Sequence, residues 1–253
     1  MSLPESDDEP STRGEWTPFY WTMAQKISVI IPVLNEGEVF IQTLTSLQPL
    51  RARGHEVIVV DGGSKEASLT QPQLLADRVI HGPKGRSRQM NAGAIVASGE
   101  IFLFLHADTL LPEGADHLII SNMGKHGRVW GHFDVCLSGK HLLLRIVEFL
   151  MNWRSRLTGI ATGDQGIFIK RVAFQCVGGF PEIDLMEDIS LSKILKKIGP
   201  PLCLWKRVVT SSRRWEKNGI IRTVLLMWYL RLAYFLGDDP KHLASLYGKS
   251  KPS

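Results

Sequence analysis

The sequence predicts an α/β fold with a mostly parallel, helix-covered central sheet. Three observations predict it. Short apolar, β-branched runs recur along the first hundred residues. Helical patterns separate them, and polar clusters stand at their carboxyl ends. The length of 253 residues suits one domain with a sizeable core. A composition of 44% hydrophobic and 22% charged residues excludes collagen-like, coiled-coil and wholly disordered chains.

The elements follow in order. The opening MSLPESDDEP is acidic and proline-bearing, unlike a charged-then-apolar leader. It predicts a disordered acidic tail over 1–17 and a cytoplasmic chain. Residues 27–33 (ISVIIPV) read as a buried parallel strand, followed by a helical pattern through Phe40, Leu44 and Leu47. Residues 56–60 (EVIVV) form the second strand and 78–81 the third. A helix is expected over 85–98 and a fourth strand over 100–105 (EIFLFL). Four strands separated by helices mean repeated βαβ units.

The second half is less regular. It predicts a strand over 129–137, a helix over 141–156 with a narrow polar stripe, and a strand over 165–169. A helix over 183–198, a strand over 202–209 and a basic loop over 211–218 come next. There is no internal repeat, so residues 26–248 are expected to form a single domain.

Charge and cysteines narrow the function classes. Residues 201–253 carry ten Lys or Arg against three acids, whereas the preceding residues are slightly acidic. A basic end suits an anionic partner such as a phosphate, a nucleotide or a lipid headgroup. No nucleic-acid-binding module is recognisable, so no nucleic-acid partner is expected. Cys136, Cys176 and Cys203 show no CxxC spacing, which argues against a zinc site and a disulfide framework. The most apolar stretch, 220–236, is interrupted by Arg222 and Arg231 on opposite faces of a helix, so it is not read as a membrane span.

In parallel sheets, ligands bind beyond the carboxyl ends of the strands. Asn35-Glu36, Asp61 with its glycines, and His106 to Asp108 sit there. Asp108 either caps a turn or holds a hard divalent cation together with substrate phosphates. Gly85 opens a helix bearing Arg86 and Arg88, which is either a solvated basic face or a diphosphate site. Glu187 and Asp188 stand at a helix start, where acids cap favourably. One of them could instead face the cleft as a general base. Gly163-Asp164-Gln165-Gly166 is a polar turn, and Arg213-Arg214-Trp215 a basic loop that could close over an anion. His81 and His106 read as loop or strand-end histidines rather than catalytic bases.

Together, PVLNE at 32–36, VDGGS at 60–64, Gly85-Arg86 to Asn91, Asp108, GGF at 178–180 and Glu187-Asp188 resemble the family 2 glycosyltransferases of GT-A fold. The motifs LHADT, GDQ and RRWE resemble in particular a small bacterial "transferase 2" branch associated with radical-SAM and selenoprotein-like domains. The resemblance implies a Rossmann-like nucleotide-diphospho-sugar transferase fold. It implies that Pro32 and Glu36 line a nucleoside pocket, that Asp61 meets the base, and that Arg86 and Gln89 lie near the diphosphate. Asp108 takes the place of the last carboxylate of the family's DxD motif, with His106 in the first position. A divalent cation, Mn²⁺ or Mg²⁺, is therefore implied, and imidazole suits manganese better. Gly163, Asp164 and Gln165 would border sugar and acceptor, as would Arg214 and Trp215. Ser211 replaces the Gln of the family's QxxRW motif, so processivity is not expected. Asp188 would be the general base, with Glu187 beside it.

The implied reaction is transfer of a sugar from a nucleotide-diphospho-sugar to an acceptor hydroxyl in one inverting displacement. Two other readings are a nucleotidyltransferase that makes nucleotide-sugars and a non-catalytic nucleotide-binding or scaffold protein. The first usually carries a basic Gly-rich loop after its first strand, where this chain has the acidic PVLNEGE. The second would lack the carboxylates at 108 and 188. The apolar helix over 141–156 and the basic segment over 205–231 could serve a lipid-linked acceptor at the inner face of a membrane. Homodimerisation would use the same surface.

Overall fold

A computed structural model describes residues 25–64 and 71–249. The expected tail over 1–17 lies outside the described residues. The chain runs through β1 (Ile27–Val33), α1 (Glu38–Ser46), α2 (Gln48–Ala52), β2 (Glu56–Asp61), α3 (Pro72–Leu75), β3 (Arg78–His81) and α4 (Arg86–Val96). It continues through β4 (Ile101–Phe104), β5 (Thr109–Leu110), α5 (Ala115–His126), β6 (Trp130–Leu137), α6 (Leu142–Thr158), β7 (Ile167–Lys170) and α7 (Arg171–Cys176). It closes with α8 (Glu187–Leu195), β8 (Leu202–Thr210), α9 (Arg213–Asn218), α10 (Ile220–Phe235) and α11 (Pro240–Lys249).

The strands form one eight-stranded sheet in the order β3-β2-β1-β4-β7-β6-β8-β5. β3, β2, β1 and β4 run parallel, as the βαβ pattern requires. β7 enters antiparallel to β4 and β6, and β8 returns parallel to β6. The chain reverses its direction of travel across the sheet between β1 and β4, so a crevice opens beyond their carboxyl ends.

Strand alternation divides the core into two layers. Val29, Ile31, Leu103 and Ile101 point to a layer shared with Phe40, Leu44, Ile119 and Met151 of the helices. Ile30, Phe102 and Phe104 point to the opposite layer with Met90, Phe174 and Leu191. α4 lies close on the sheet because Gly93 faces it. A Cβ at Gly93 would meet Ile30 Cγ2 at 2.5 Å.

Three expectations over the second half are corrected. The helix expected over 183–198 begins only at Glu187, because Met186 adopts a left-handed backbone with φ of 69° and interrupts the turn before it. The strand expected over 165–169 begins at Ile167, because Thr162 and Gln165 close a capping box around a 3₁₀ turn at Gly163–Gln165. The basic loop over 211–218 contains the short helix α9. Its first turn is closed by Glu216 N–H on the Ser212 carbonyl (3.0 Å), with the Glu216 carboxylate beside Ser212 Oγ at 3.1 Å. No helix among the described residues is long and apolar enough to cross a membrane.

Candidate active site

β1 and β4 end at one crevice. There, Arg86 at the start of α4, His106 and Asp108 after β4, Asp164 in the 3₁₀ turn, and Glu187 and Asp188 at the start of α8 line a cavity of about 180 Å³. Positions separated by up to a hundred residues converge because each follows a strand or opens a helix at the same edge of the sheet.

The carboxylates of this cavity differ in their environments. Asp188 accepts the Gly163 N–H at its Oδ2 (2.8 Å) and the Ile189 N–H at its Oδ1 (2.7 Å). Two backbone donors fix its orientation. Glu187 is 6% exposed, and burial followed by the charge of Asp188 pushes its carboxyl up to about 7. Burial, then the charge of Asp164, pushes Asp108 upward, against the pull of His106 and Arg86. For Glu36 the upward push comes from burial and the charge of Asp108, and Arg86 opposes it. Glu36 therefore sits within electrostatic reach of Asp108 and Arg86. Arg86 faces Glu187, Asp164 and Asp188, a cation amid three acids.

His106 is committed to the protein. Its Nδ1 lies 3.1 Å from Asp164 Oδ1, and its Nε2 packs against Gly163 so closely that a Cβ there would overlap it. No cluster of three His, Cys, Asp or Glu side chains able to hold a metal exists among the described residues. Asp108, whose carboxyl burial pushes upward, could serve a hard cation as a single carboxylate ligand. One carboxylate plus substrate phosphates is a normal shell for Mg²⁺ or Mn²⁺.

Glu36 and four other expected site residues do not line the cavity. Pro32 is buried within β1. Asp61 is fully buried and closes its own turn, accepting N–H bonds from Gly63 (3.2 Å) and Ser64 (2.9 Å) and lying 3.3 Å from His81 Nδ1. Gln89 is buried, and its Nε2 donates to the carbonyls of Val33 (2.8 Å) and Val60 (2.7 Å), tying the ends of β1 and β2 together. Gln165 is fully buried and accepts from Ser155 Oγ (2.8 Å) and Thr162 N (3.0 Å), so it shapes the 3₁₀ turn from beneath. Asp61, Gln89 and Gln165 each have local partners that satisfy the polar group within the fold. Gly163, Asp164 and Trp215 do line it. The side chain of Arg214 lies outside what the structure describes.

The far wall comes from α10 and α11, in which no catalytic or donor-binding residue was expected. Thr223, Met227 and Arg231 of α10 and Tyr247 of α11 close the cavity. Their spacing carries the signal that could have found them: 223, 227 and 231 stand four apart and form one stripe of a helix. α10 is held there by Leu230, which packs with Met186, Ile189 and Leu243.

A family model described as "Glycosyl transferase family 2" matches residues 28–177. Among curated proteins, "Probable glycosyltransferase YdaM" of Bacillus subtilis is 27% identical over 238 residues, covering 85% of this chain and 55% of the relative. A "PGL/p-HBAD biosynthesis glycosyltransferase" of Mycobacterium bovis is 35% identical over 112 residues, covering 41% of this chain and 43% of the relative. The chain thus spans about half the length of these relatives. Among solved structures, residues 1–349 of S. aureus TarS superpose with a TM-score of 0.60 at 16% identity, over 79% of this chain and 64% of that TarS chain. The mannosyltransferase PcManGT of Pyrobaculum calidifontis, solved with GDP-Man and Mn²⁺, gives 0.58 at 21% identity, over 78% of this chain and 62% of PcManGT. These likenesses establish a shared α/β fold of the GT-A type. With the family model spanning more than half of its residues, the chain belongs to glycosyl transferase family 2.

Proposed function

We propose that this chain, as one catalytic domain over 26–248, transfers a sugar from a nucleotide-diphospho-sugar to an acceptor nucleophile with inversion. One observation carries the reading: Arg86, Asp108 and Asp188 converge on one cavity beyond the carboxyl ends of the parallel strands. That three related or fold-sharing proteins are glycosyltransferases, one of them solved with GDP-Man and Mn²⁺, supports it.

Each residue then has a task. Arg86 offsets the charge of the donor's diphosphate. Asp108 would hold a divalent cation, which supplies further stabilisation of the leaving diphosphate when bound. Asp188, oriented by the Gly163 and Ile189 N–H groups, accepts the proton of the acceptor. The acceptor oxygen forms the new bond to the anomeric carbon as the bond to the diphosphate oxygen breaks. The electron pair leaves with the nucleoside diphosphate. Glu187, neutral below about pH 7, spares the site a further negative charge next to Asp188.

The test is a donor panel. Incubation with nucleotide-sugars should release nucleoside diphosphate, and release of pyrophosphate instead would favour a nucleotidyltransferase. Asp108→Ala should abolish the gain in donor affinity that Mn²⁺ confers on the unaltered protein, measured by calorimetry. An unchanged gain would remove Asp108 from the metal site.

A further inference from the structure

A second cavity of about 280 Å³ lies between α6 and α10, lined by apolar side chains such as Leu150, Leu157, Val224 and Trp228. Its lining runs into that of the candidate active site, because Trp215, Met227 and Arg231 form a wall of both. Of its lining, Leu150, Trp153, Leu157 and Trp228 are roughly half exposed or more. Two guanidinium groups, Arg154 and Arg231, stand in the same lining. Neither has a carboxylate within ion-pair distance among the described residues, and Arg154 Nε is buried with no hydrogen-bond partner.

From this shared wall and its charge we infer that the trough seats the acceptor, an amphiphile with an anionic phosphate head between Arg154 and Arg231 and a hydrocarbon chain along α6 and α10. The inference rests on the proposed glycosyl transfer and names its acceptor class. Its physical basis is complementarity at both ends. Burial, then the charge of Arg231, depresses Arg154 to about 10, and burial also depresses Arg231. A phosphate would relieve that like-charge pair. Asp188 and Asp164 lie within electrostatic reach of Arg231, so a head bound there is presented to the candidate base. A water-soluble acceptor would leave the apolar lining without a role.

The test uses an alkyl phosphate series (ethyl, hexyl, octyl and decyl phosphate) below their micelle concentrations, with binding read by calorimetry on the full chain. Each methylene seated in an apolar trough should tighten binding about fourfold. Affinity should therefore rise with every step of the series. Decanol, lacking the phosphate, should bind at least tenfold more weakly than decyl phosphate. Arg154→Gln should weaken decyl phosphate by tenfold or more, and Leu150→Asp should flatten the chain-length dependence. Affinity independent of chain length, or decanol equal to decyl phosphate, would overturn the inference. So would a dimer in sedimentation that Trp228→Asp dissociates, because a second copy would then cover the trough. Binding of UDP and GDP with Mn²⁺ is measured on the same samples. Nucleotide binding with a flat alkyl series would sink the trough and leave glycosyl transfer standing. A steep alkyl series without nucleotide binding would uphold the trough as a lipid-phosphate site and sink the transfer reading.

Discussion

Asp116 and Glu187 are both acids in the first turn of a helix, and both are almost fully buried. Their surroundings drive them in opposite directions. Asp116, at the start of α5 behind the sheet, is gripped by Arg53 through Nε (2.5 Å) and Nη2 (2.9 Å), with His55 Nε2 at 3.1 Å. Burial alone would raise its carboxyl, but the Arg53 hydrogen bonds outweigh it and hold the group down to about 2. Glu187, at the mouth of the crevice, has the acid Asp188 as its neighbour and is pushed up to about 7. A buried carboxylate with a cation in hand holds the fold together. One whose neighbour is another acid is poised to change its charge near neutral pH.

The largest expected effect separates the crevice from the rest of the molecule. Asp188→Asn should lower turnover about a thousandfold, in line with the loss of a general base. Donor affinity should stay within threefold. Near-normal sugar transfer by this variant would remove Asp188 from the mechanism.

Asp116→Ala should cost about 2 kcal/mol of stability at pH 7 while leaving turnover per folded molecule unchanged. The sign follows from a folded value of about 2 below the unfolded one near 4. The contribution is fully present above pH 4 and is lost as pH falls from about 4 to 2. Urea unfolding of variant and parent should therefore differ at pH 7 and converge near pH 2. A gap that persists undiminished at pH 2 would show that the pair is not the source.

Gln89→Leu should destabilise by roughly 1–2 kcal/mol, because the Val33 and Val60 carbonyls lose their shared donor. Nucleotide affinity measured on the folded variant should be unchanged. A selective loss of nucleotide affinity would return Gln89 to the diphosphate site.

The last effect has the opposite pH sign to that of Asp116. Glu187 has a folded value near 7, above its unfolded one near 4.5. Its contribution to stability is present below about 4.5 and is lost as pH rises through 7. Glu187→Gln should therefore melt a few degrees above the parent at pH 8 and together with it at pH 4. Equal melting at both would mean that Glu187 is ionised without penalty.

Much of the fold was legible because the signals that specify it are local. The apolar runs at 27–33 and 56–60 became β1 and β2, since a strand buried on both faces is mostly apolar at successive positions. The helix at 141–156 became α6, and its narrow polar stripe matches the buried polar pair Glu148 and Asn152, which bond the Leu137 and Val135 N–H groups. α5 and α7 passed unread because weak amphipathicity and short length leave little periodicity to detect. In the candidate site, Asp108, Asp164, Glu187 and Asp188 were legible as acids at strand ends and helix starts.

The residue order by itself determined where strands end and which polar groups stand there, because periodicity and turn chemistry act over a few residues. Tertiary structure alone decided which of those groups reach the crevice. Asp61, Gln89 and Gln165 meet backbone or side-chain partners that satisfy them within the fold, whereas half-buried Asp108 and buried Glu187 stand beside other acids. It also decided that α10 would bring Arg231 across the sheet edge and form a wall of both an apolar trough and the crevice. Hydrogen-bond saturation and charge pairing depend on neighbours brought from afar in the chain, and no local pattern encodes them.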